Sequence, residues 1–473
     1  MERDSREPDT EGRSFRVGLA MLAVLIAAVV GLQLWGARIR YPRHGAQSAD
    51  PDQALQGGDF AAKMAIAWPA LKMSQRAVDS YKKALPWPSA YRRLGVFKEA
   101  VLQQPGLPSL TKIDSPAATR DFDKNDIRKL QREKMMWLRI YGPAKITGDQ
   151  ARRYAKDVKS LNLGPLTDIA RAEVYRRAGL DSKAARILAE AKTSARVSLI
   201  AAGCVLGLLA VGGIGGFAIA ITFLVASAPR LAVAPRSQLS PTALVTAFIV
   251  YLASYIGLSA AVELLTDAAG YAIADTWAGA AYMALLVCSA AAAFALGFRS
   301  LIERTGQAGQ DWRGIGYRST SVGRDALYGV GGFLSSLPFV AVAAVISLVL
   351  SNTVLRQFPT PQQPFGEIIS HGGVIEVVLV YFAAVIVAPI VEETFFRGAL
   401  YTAFRGRMGV WPAVLGSSAI FAVIHPLPGG FLPILALACV LALLRERTGS
   451  LLPCMVCHAV YNAVGLLIVT LVF

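Results

Sequence analysis

An all-α fold is predicted, a polytopic membrane helix bundle joined to an α-helical soluble domain, and three observations carry the prediction. Hydrophobic residues make up 54% of the 473 positions, and the mean hydropathy is +0.45. Apolar stretches long enough to cross a bilayer recur, one near the N-terminus and about eight in the C-terminal half. A single long polar region, residues 36–196, separates them. Together these exclude a simple soluble enzyme, and 17% charged residues set around long apolar runs exclude a disordered chain.

The elements follow in order. Residues 1–16 form a tail in which Glu2, Asp4, Glu7, Asp9 and Glu11 lie among arginines. Val17 to Trp35 is 19 uncharged residues, close to the ~20 that a spanning helix needs. The acidic tail and the lack of a small-residue cleavage site favour an uncleaved anchor over a signal peptide. Residues 36–196 are punctuated by Pro86, Pro88, Pro105 and Pro108 and have helical periodicity, strongest near their end. Ile169 to Ala178 reads as one helix, stopped by Gly179 and restarted at Asp181 as N-cap, continuing through Ala184, Leu188 and Ala191. This hairpin has a faint tetratricopeptide-type look, but no second copy follows at a fixed period.

From Val197 to Phe473 the apolar stretches are Val197 to Ala226, Thr242 to Val262, Trp277 to Phe298, Leu327 to Leu350, Val377 to Phe404, Trp411 to Leu427, Phe431 to Leu444 and Leu451 to Phe473. Glycine pairs inside them, such as Gly212 with Gly216, are expected at close helix contacts. Cys204, Cys288, Cys439, Cys454 and Cys457 all lie in this half and imply no secreted-type disulfide framework.

Charge is unevenly placed. Residues 36–196 hold 31 basic and 16 acidic side chains, against 4 and 5 before them and 13 and 11 after. Anionic lipid headgroups explain such an excess in a tethered segment more simply than nucleic acid does, and no nucleic-acid motif accompanies it. Among the loops, Arg230, Arg236, Arg299, Arg304, Arg313, Arg318, Arg324, Arg405, Arg407, Arg445 and Arg447 fall on one side and Arg356 alone on the other. The positive-inside rule makes the first side cytoplasmic and places residues 36–196 outside the cytoplasm, at the plasma membrane if the source is bacterial. Arg38, Arg40, Arg43 and Arg196 run against that placement, though long domains translocate regardless of charge.

Ionisable groups inside a span are costly and usually functional. Ala388 to Gly398 places Glu392, Glu393 and Arg397 in one span. Phe421-Ala422-Val423-Ile424-His425 ends another run with a histidine, and His458-Ala459-Val460-Tyr461-Asn462 puts a histidine and an amide in the last. Glu393 and Arg397, like His458 and Asn462, are four apart and share a helix face, while Glu392 points about 100° from Glu393. One carboxylate is thus free to pair with Arg397 while the other faces the interior. His44 and His371 have no such company. Buried Glu and His together bind a metal or activate a water.

Glu-Glu-x-x-x-Arg, Phe-x-x-x-His and His-x-x-x-Asn in three separate membrane segments resemble the CAAX prenyl endopeptidase and bacteriocin-processing (CPBP) family of intramembrane proteases. Arg447 to Pro453 also looks like that family, and the likeness covers about residues 327–473. The resemblance implies a water deprotonated by Glu392 with His425, Glu393 assisting, and Arg397 holding Glu393 in place. His458 and Asn462 would then stabilise the oxyanion. In the metalloprotease reading of the family, Glu392, His425 and His458 surround a divalent metal, zinc first among the candidates, although no His-Glu-x-x-His motif occurs.

The expectation is an intramembrane endopeptidase with a core at 327–473, a membrane domain at 197–473, an anchor at 17–35 and a basic helical domain at 36–196. Its partners would be the bilayer, a membrane-associated peptide or protein substrate, and a protein recruited by the helical domain. Two alternatives remain. One is a membrane scaffold or receptor in which the polar residues only hold helices together. The other is a c-type haem protein, since Cys454 to His458 reads Cys-x-x-Cys-His.

Overall fold

The computed structural model describes residues 10–40, 51–120, 122, 124–161, 163–227, 239–268, 276–305, 312–319, 321–353, 373–425 and 430–472, and among them every regular element is a helix. His44, His371, Arg43, Arg230, Arg236 and Arg356 lie outside these residues. In chain order come α1 (Thr10–Arg40), α2 (Pro51–Ala67), α3 (Ser74–Lys83), α4 (Pro88–Val96), α5 (Lys124–Tyr141), α6 (Gly148–Ser160), α7 (Thr167–Arg177) and α8 (Asp181–Ser227). There follow α9 (Pro241–Ala268), α10 (Thr276–Thr305), α11 (Val322–Asn352), α12 (Val374–Arg407), α13 (Val410–Ile424), α14 (Phe431–Thr448) and α15 (Leu452–Val472). The chain divides into two compact units, one of Met1–Pro42 with Gly207–Leu467, the other of Arg43–Leu206 with Ile468–Phe473.

The second unit is a helical domain with its own core, in which Tyr81, Phe97, Leu110, Ile113 and Trp137 are fully buried. Each such large side chain contributes ~1.5–3 kcal/mol by leaving water. Buried charge in this core is closed on itself: Asp59 accepts from Tyr81 Oη at 2.8 Å and from Arg93 Nε at 3.0 Å. A capping box starts α6, where Thr147 and Gln150 satisfy each other's backbone N–H groups. Gly179 ends α7 with φ +70°, a conformation that L side chains resist, and its N–H meets the Arg176 carbonyl at 3.0 Å.

The expected hairpin is therefore present, but its second arm does not stop where the polar sequence does. Helix α8 runs on unbroken for 47 residues, about 70 Å at 1.5 Å per residue. At the chain's other end, buried Lys63 donates to the carbonyls of Leu471 (3.0 Å) and Val472 (3.2 Å). These are last-turn groups of α15 that no intrahelical N–H reaches.

In the first unit, all eight C-terminal apolar stretches and the N-terminal one form helices. Counting described residues, seven helices are long and apolar enough to span a bilayer. The other two are α13, with 15 residues, and α14, whose last turn carries Arg445, the fully buried Glu446, and Arg447. Fifteen residues reach only about 22 Å, short of a hydrocarbon core of about 30 Å. Both pack inside the bundle, with Ala413, Val414, Leu437, Ala438 and Leu441 buried. Glu446 takes Tyr401 Oη at 2.6 Å and Arg405 Nε at 3.1 Å, tying α14 to α12. Gly212 and Gly216 lie against Leu334 of α11, where a Cβ at Gly216 would come within 2.0 Å of the Leu334 carbonyl oxygen. That bears out the close contact their spacing predicts.

Candidate active site

Helix α12 supplies the carboxylates, and it is not a regular α-helix. Two wider π segments, Ala383–Val387 and Thr394–Leu400, flank the short α segment Ala388–Glu393. Pro389 lacks the N–H that would bond back along the helix, and π segments of this kind cluster at functional sites. The loosened carbonyls find side-chain partners. Asn462 Nδ2 donates to the Ala384 carbonyl at 2.7 Å. Thr394 Oγ1 donates to Ile390 O at 2.6 Å, and Thr402 Oγ1 to Arg397 O at 3.2 Å.

Glu393 and Arg397 form the intrahelical ion pair that their spacing permits, Nη1 to Oε1 at 3.0 Å, with side chains 0% and 1% exposed. Buried charges survive only when paired and hydrogen-bonded, and Arg397 is placed for both. Its Nη2 donates to Ala438 O of α14 at 3.0 Å, and its guanidinium lies 4.5 Å from the Phe421 ring centroid on α13. One residue thus pins three helices together.

Glu393 Oε1 has a second partner, Nδ1 of His458 on α15, at 2.9 Å. A carboxylate on Nδ1 fixes the ring and favours the tautomer with the proton there, leaving Nε2 as the free nitrogen. That Nε2 lies 4.0 Å from Glu392 Oε2. The separation is too long for a hydrogen bond and short enough to share one water. Glu392 is 21% exposed, and its Oε2 is buried with no hydrogen-bond partner, as is Glu393 Oε2. The adjacent carboxylates therefore take different parts: Glu393 is anchored, and Glu392 presents an open acceptor.

His425 ends α13, half-buried, with Nδ1 against Phe421 O at 2.6 Å. Among the described residues it makes no hydrogen bond or ion pair with Glu392. Phe421 stands among the site groups, its ring centroid 4.6 Å from His425, 5.9 Å from His458 and 4.8 Å from Phe396. The motif Phe-x-x-x-His already contained Phe421, but nothing in the sequence marked it as the packing centre. Equally unforeseen are Tyr251 and Tyr255 of α9. Tyr251 stacks on Phe395 at 4.1 Å, with Tyr255 behind it at 6.2 Å.

Among the described residues, no three His, Cys, Asp or Glu side chains form a group able to hold a metal ion. Glu392, His425 and His458, expected around zinc, offer in this arrangement one facing pair and a third member held to its own helix. They do not fit a closed ligand set. Cys454 and Cys457 are free and fully buried, packed with Leu437, Leu441 and Leu444, so neither thiol is presented for haem attachment.

The fold and site define a polytopic helical membrane protein with an acid–histidine cluster buried among α12, α13 and α15. Residues 374–464 match the family model described as Type II CAAX prenyl endopeptidase Rce1-like. The match falls on the segment that carries the three motifs and is to a family of intramembrane CAAX proteases, in agreement with what their resemblance implies. No curated protein and no solved structure matches the chain.

Proposed function

We propose that the protein hydrolyses a peptide bond of a membrane-associated protein or peptide, using water activated between Glu392 and His458. The observation that carries this reading is the facing of the unpartnered Glu392 Oε2 and His458 Nε2 across 4.0 Å. Glu392 takes a proton from the shared water as its oxygen bonds to the scissile carbonyl carbon, and the carbonyl π pair moves onto oxygen. Collapse of that adduct breaks the C–N bond, and a proton delivered through His458 Nε2 leaves on the amine. Glu393, on Nδ1, stabilises the imidazolium that forms on the way, and Arg397 holds Glu393 in place.

The test is cleavage of a membrane-peptide library by the full chain in lipid nanodiscs, with metal content measured by mass spectrometry. Cleavage lost in both Glu392→Gln and His458→Ala, with folding kept, supports the reading. Stoichiometric metal lost with these variants replaces direct activation by a metalloprotease. Wild type without cleavage leaves the scaffold reading. The basic helical domain is proposed to recruit a protein partner or substrate, on the strength of its helical hairpin and charge. Unchanged substrate choice after its deletion overturns that role.

A further inference from the structure

The helical domain carries a feature that peptide hydrolysis does not use, a groove of about 740 Å³ between α2 and α3. Phe60 and Ala61 of α2 and Met73 give it an apolar part, while Lys72, Arg76 and Lys83 bring three cations to it against one carboxylate, Asp79. That carboxylate accepts from Gln75 Nε2 at 2.8 Å, and among the described residues none of the three cations forms an ion pair. A cleft lined by an excess of one sign of charge concentrates ligands of the other. Helix α3 also begins without a side-chain cap at Met73, and its positive N-terminal end adds to the field of Lys72.

Two contacts set the depth at which this end of the groove lies. Arg196 Nε donates to Ala67 O at 2.8 Å, and Arg196 is the last charged residue of α8 before an apolar run in which Val197 and Ile200 are exposed. Lys63, one turn earlier on α2, donates to the carbonyls of Leu471 and Val472, where the apolar helix α15 ends. The last turn of α2 therefore meets two spanning helices at the points where their apolar runs begin or end. From Ala67 the chain makes a short 3₁₀ turn, Pro69–Leu71, whose residues are all exposed, Leu71 at 51%. Half-buried Trp68 precedes this tip and exposed Lys72 follows it. An apolar tip with an aromatic residue and cations beside it suits the headgroup layer of a bilayer. Lys72 and Arg76 are the groove cations nearest this level in the chain, and Lys83 lies about two turns farther along α3.

We infer that the groove is a binding site for an anionic phospholipid, with Lys72 and Arg76 on the headgroup phosphate and the Pro69–Leu71 tip in the interface beneath it. A soluble anion has no use for the exposed apolar tip, and a zwitterionic lipid brings its own cation to the phosphate, which leaves a lipid of net negative charge. The site is independent of the hydrolytic reading above.

The experiment is hydrogen exchange of the full chain in nanodiscs of phosphatidylcholine alone and of phosphatidylcholine mixed with phosphatidylglycerol. It compares wild type, Lys72→Gln/Arg76→Gln and Arg128→Gln/Arg132→Gln, the last removing the same charge from exposed positions of α5 outside the groove. Phosphatidylglycerol is expected to slow exchange over residues 68–80 about 10-fold in wild type and in the α5 variant. The Lys72→Gln/Arg76→Gln protein is expected to lose that protection, each single variant to lose part of it, and unchanged exchange in α6 and α7 reports that the fold is kept. Equal rates in the two lipid compositions overturn the inference, and so does an equal loss in both double variants, which reduces the effect to net charge. Inorganic phosphate or a polyglutamate peptide that gives the same protection in phosphatidylcholine alone also overturns it, by assigning the groove to a soluble anion or an acidic protein.

Discussion

The helical domain and the membrane unit both bury carboxylates, and they treat them differently. In the helical domain Asp59 is enclosed by Tyr81 and Arg93, and Glu173 by Arg176 and Arg177. In the membrane unit Glu393 meets Arg397 and His458 through one oxygen, while Glu392 Oε2 beside it has no partner. An unsatisfied buried acceptor costs roughly 1–3 kcal/mol or more, and the membrane unit leaves one on each of the adjacent carboxylates, Glu392 Oε2 facing His458 Nε2 and Glu393 Oε2 beside the ion pair, where the helical domain closes Asp59 and Glu173 with cations. A carboxylate's neighbours, more than its burial, separate the two cases.

Substitutions of decreasing effect break or sharpen this contrast. Glu392→Gln removes the open acceptor and is expected to cut kcat about 10⁴-fold, ~5.4 kcal/mol in the barrier, with the melting temperature in detergent unchanged. Arg397→Met leaves Glu393 buried without its cation. Breaking such a pair costs ~3–5 kcal/mol, visible as a lowered melting temperature along with lost cleavage. Asp59→Asn weakens charge-assisted hydrogen bonds worth ~1.5–3 kcal/mol. It is expected to destabilise the helical domain in hydrogen exchange while cleavage per folded molecule stays near wild type. If Asp59→Asn abolished cleavage and Glu392→Gln did not, the contrast would be inverted.

The smallest effect is in pH dependence. Burial pushes Glu173 up, but hydrogen bonds and charge from Arg176 and Arg177 outweigh it and hold the carboxyl below its ordinary range. A depressed carboxyl contributes stability above its unfolded value, about 4.3, and loses it as pH falls through the folded value. The stability difference between wild type and Glu173→Gln is therefore expected to be flat above about pH 4.3 and to shrink below it, measured by urea unfolding followed at the helical domain.

Much of this was legible in the chain. Nine apolar stretches became nine helices, seven of them over bilayer-length runs, where the backbone has no other way to satisfy its hydrogen bonds. Gly179 marked its turn through its left-handed conformation, whereas Asp181, expected as the N-cap, is the first residue of α8 and Leu180 occupies the cap position, its carbonyl taking the Ala184 N–H. The Glu393–Arg397 pair followed from i, i+4 geometry and survives the π segment. What did not follow was any fact set by two distant segments. Adjacency with His425 was expected for Glu392, yet His458, 66 residues downstream of it, is the histidine it faces. Two shifts in helix phase within α12 decide which way Glu392 points, and no motif spacing records them.

By itself the sequence determined an all-α membrane bundle, its polar insertion, and the identities of the carboxylates, histidines, arginine and amide that break the apolar pattern. Those are properties of single segments, governed by hydropathy and helix periodicity. The tertiary structure alone decided that Glu393 is shared by Arg397 and His458, that Asn462 holds the Ala384 carbonyl, that Phe421 packs on His425 and His458, and that Tyr251 stacks on Phe395. Each of these depends on how neighbouring helices rotate and pack, and that is settled by side-chain fit between segments far apart in the chain.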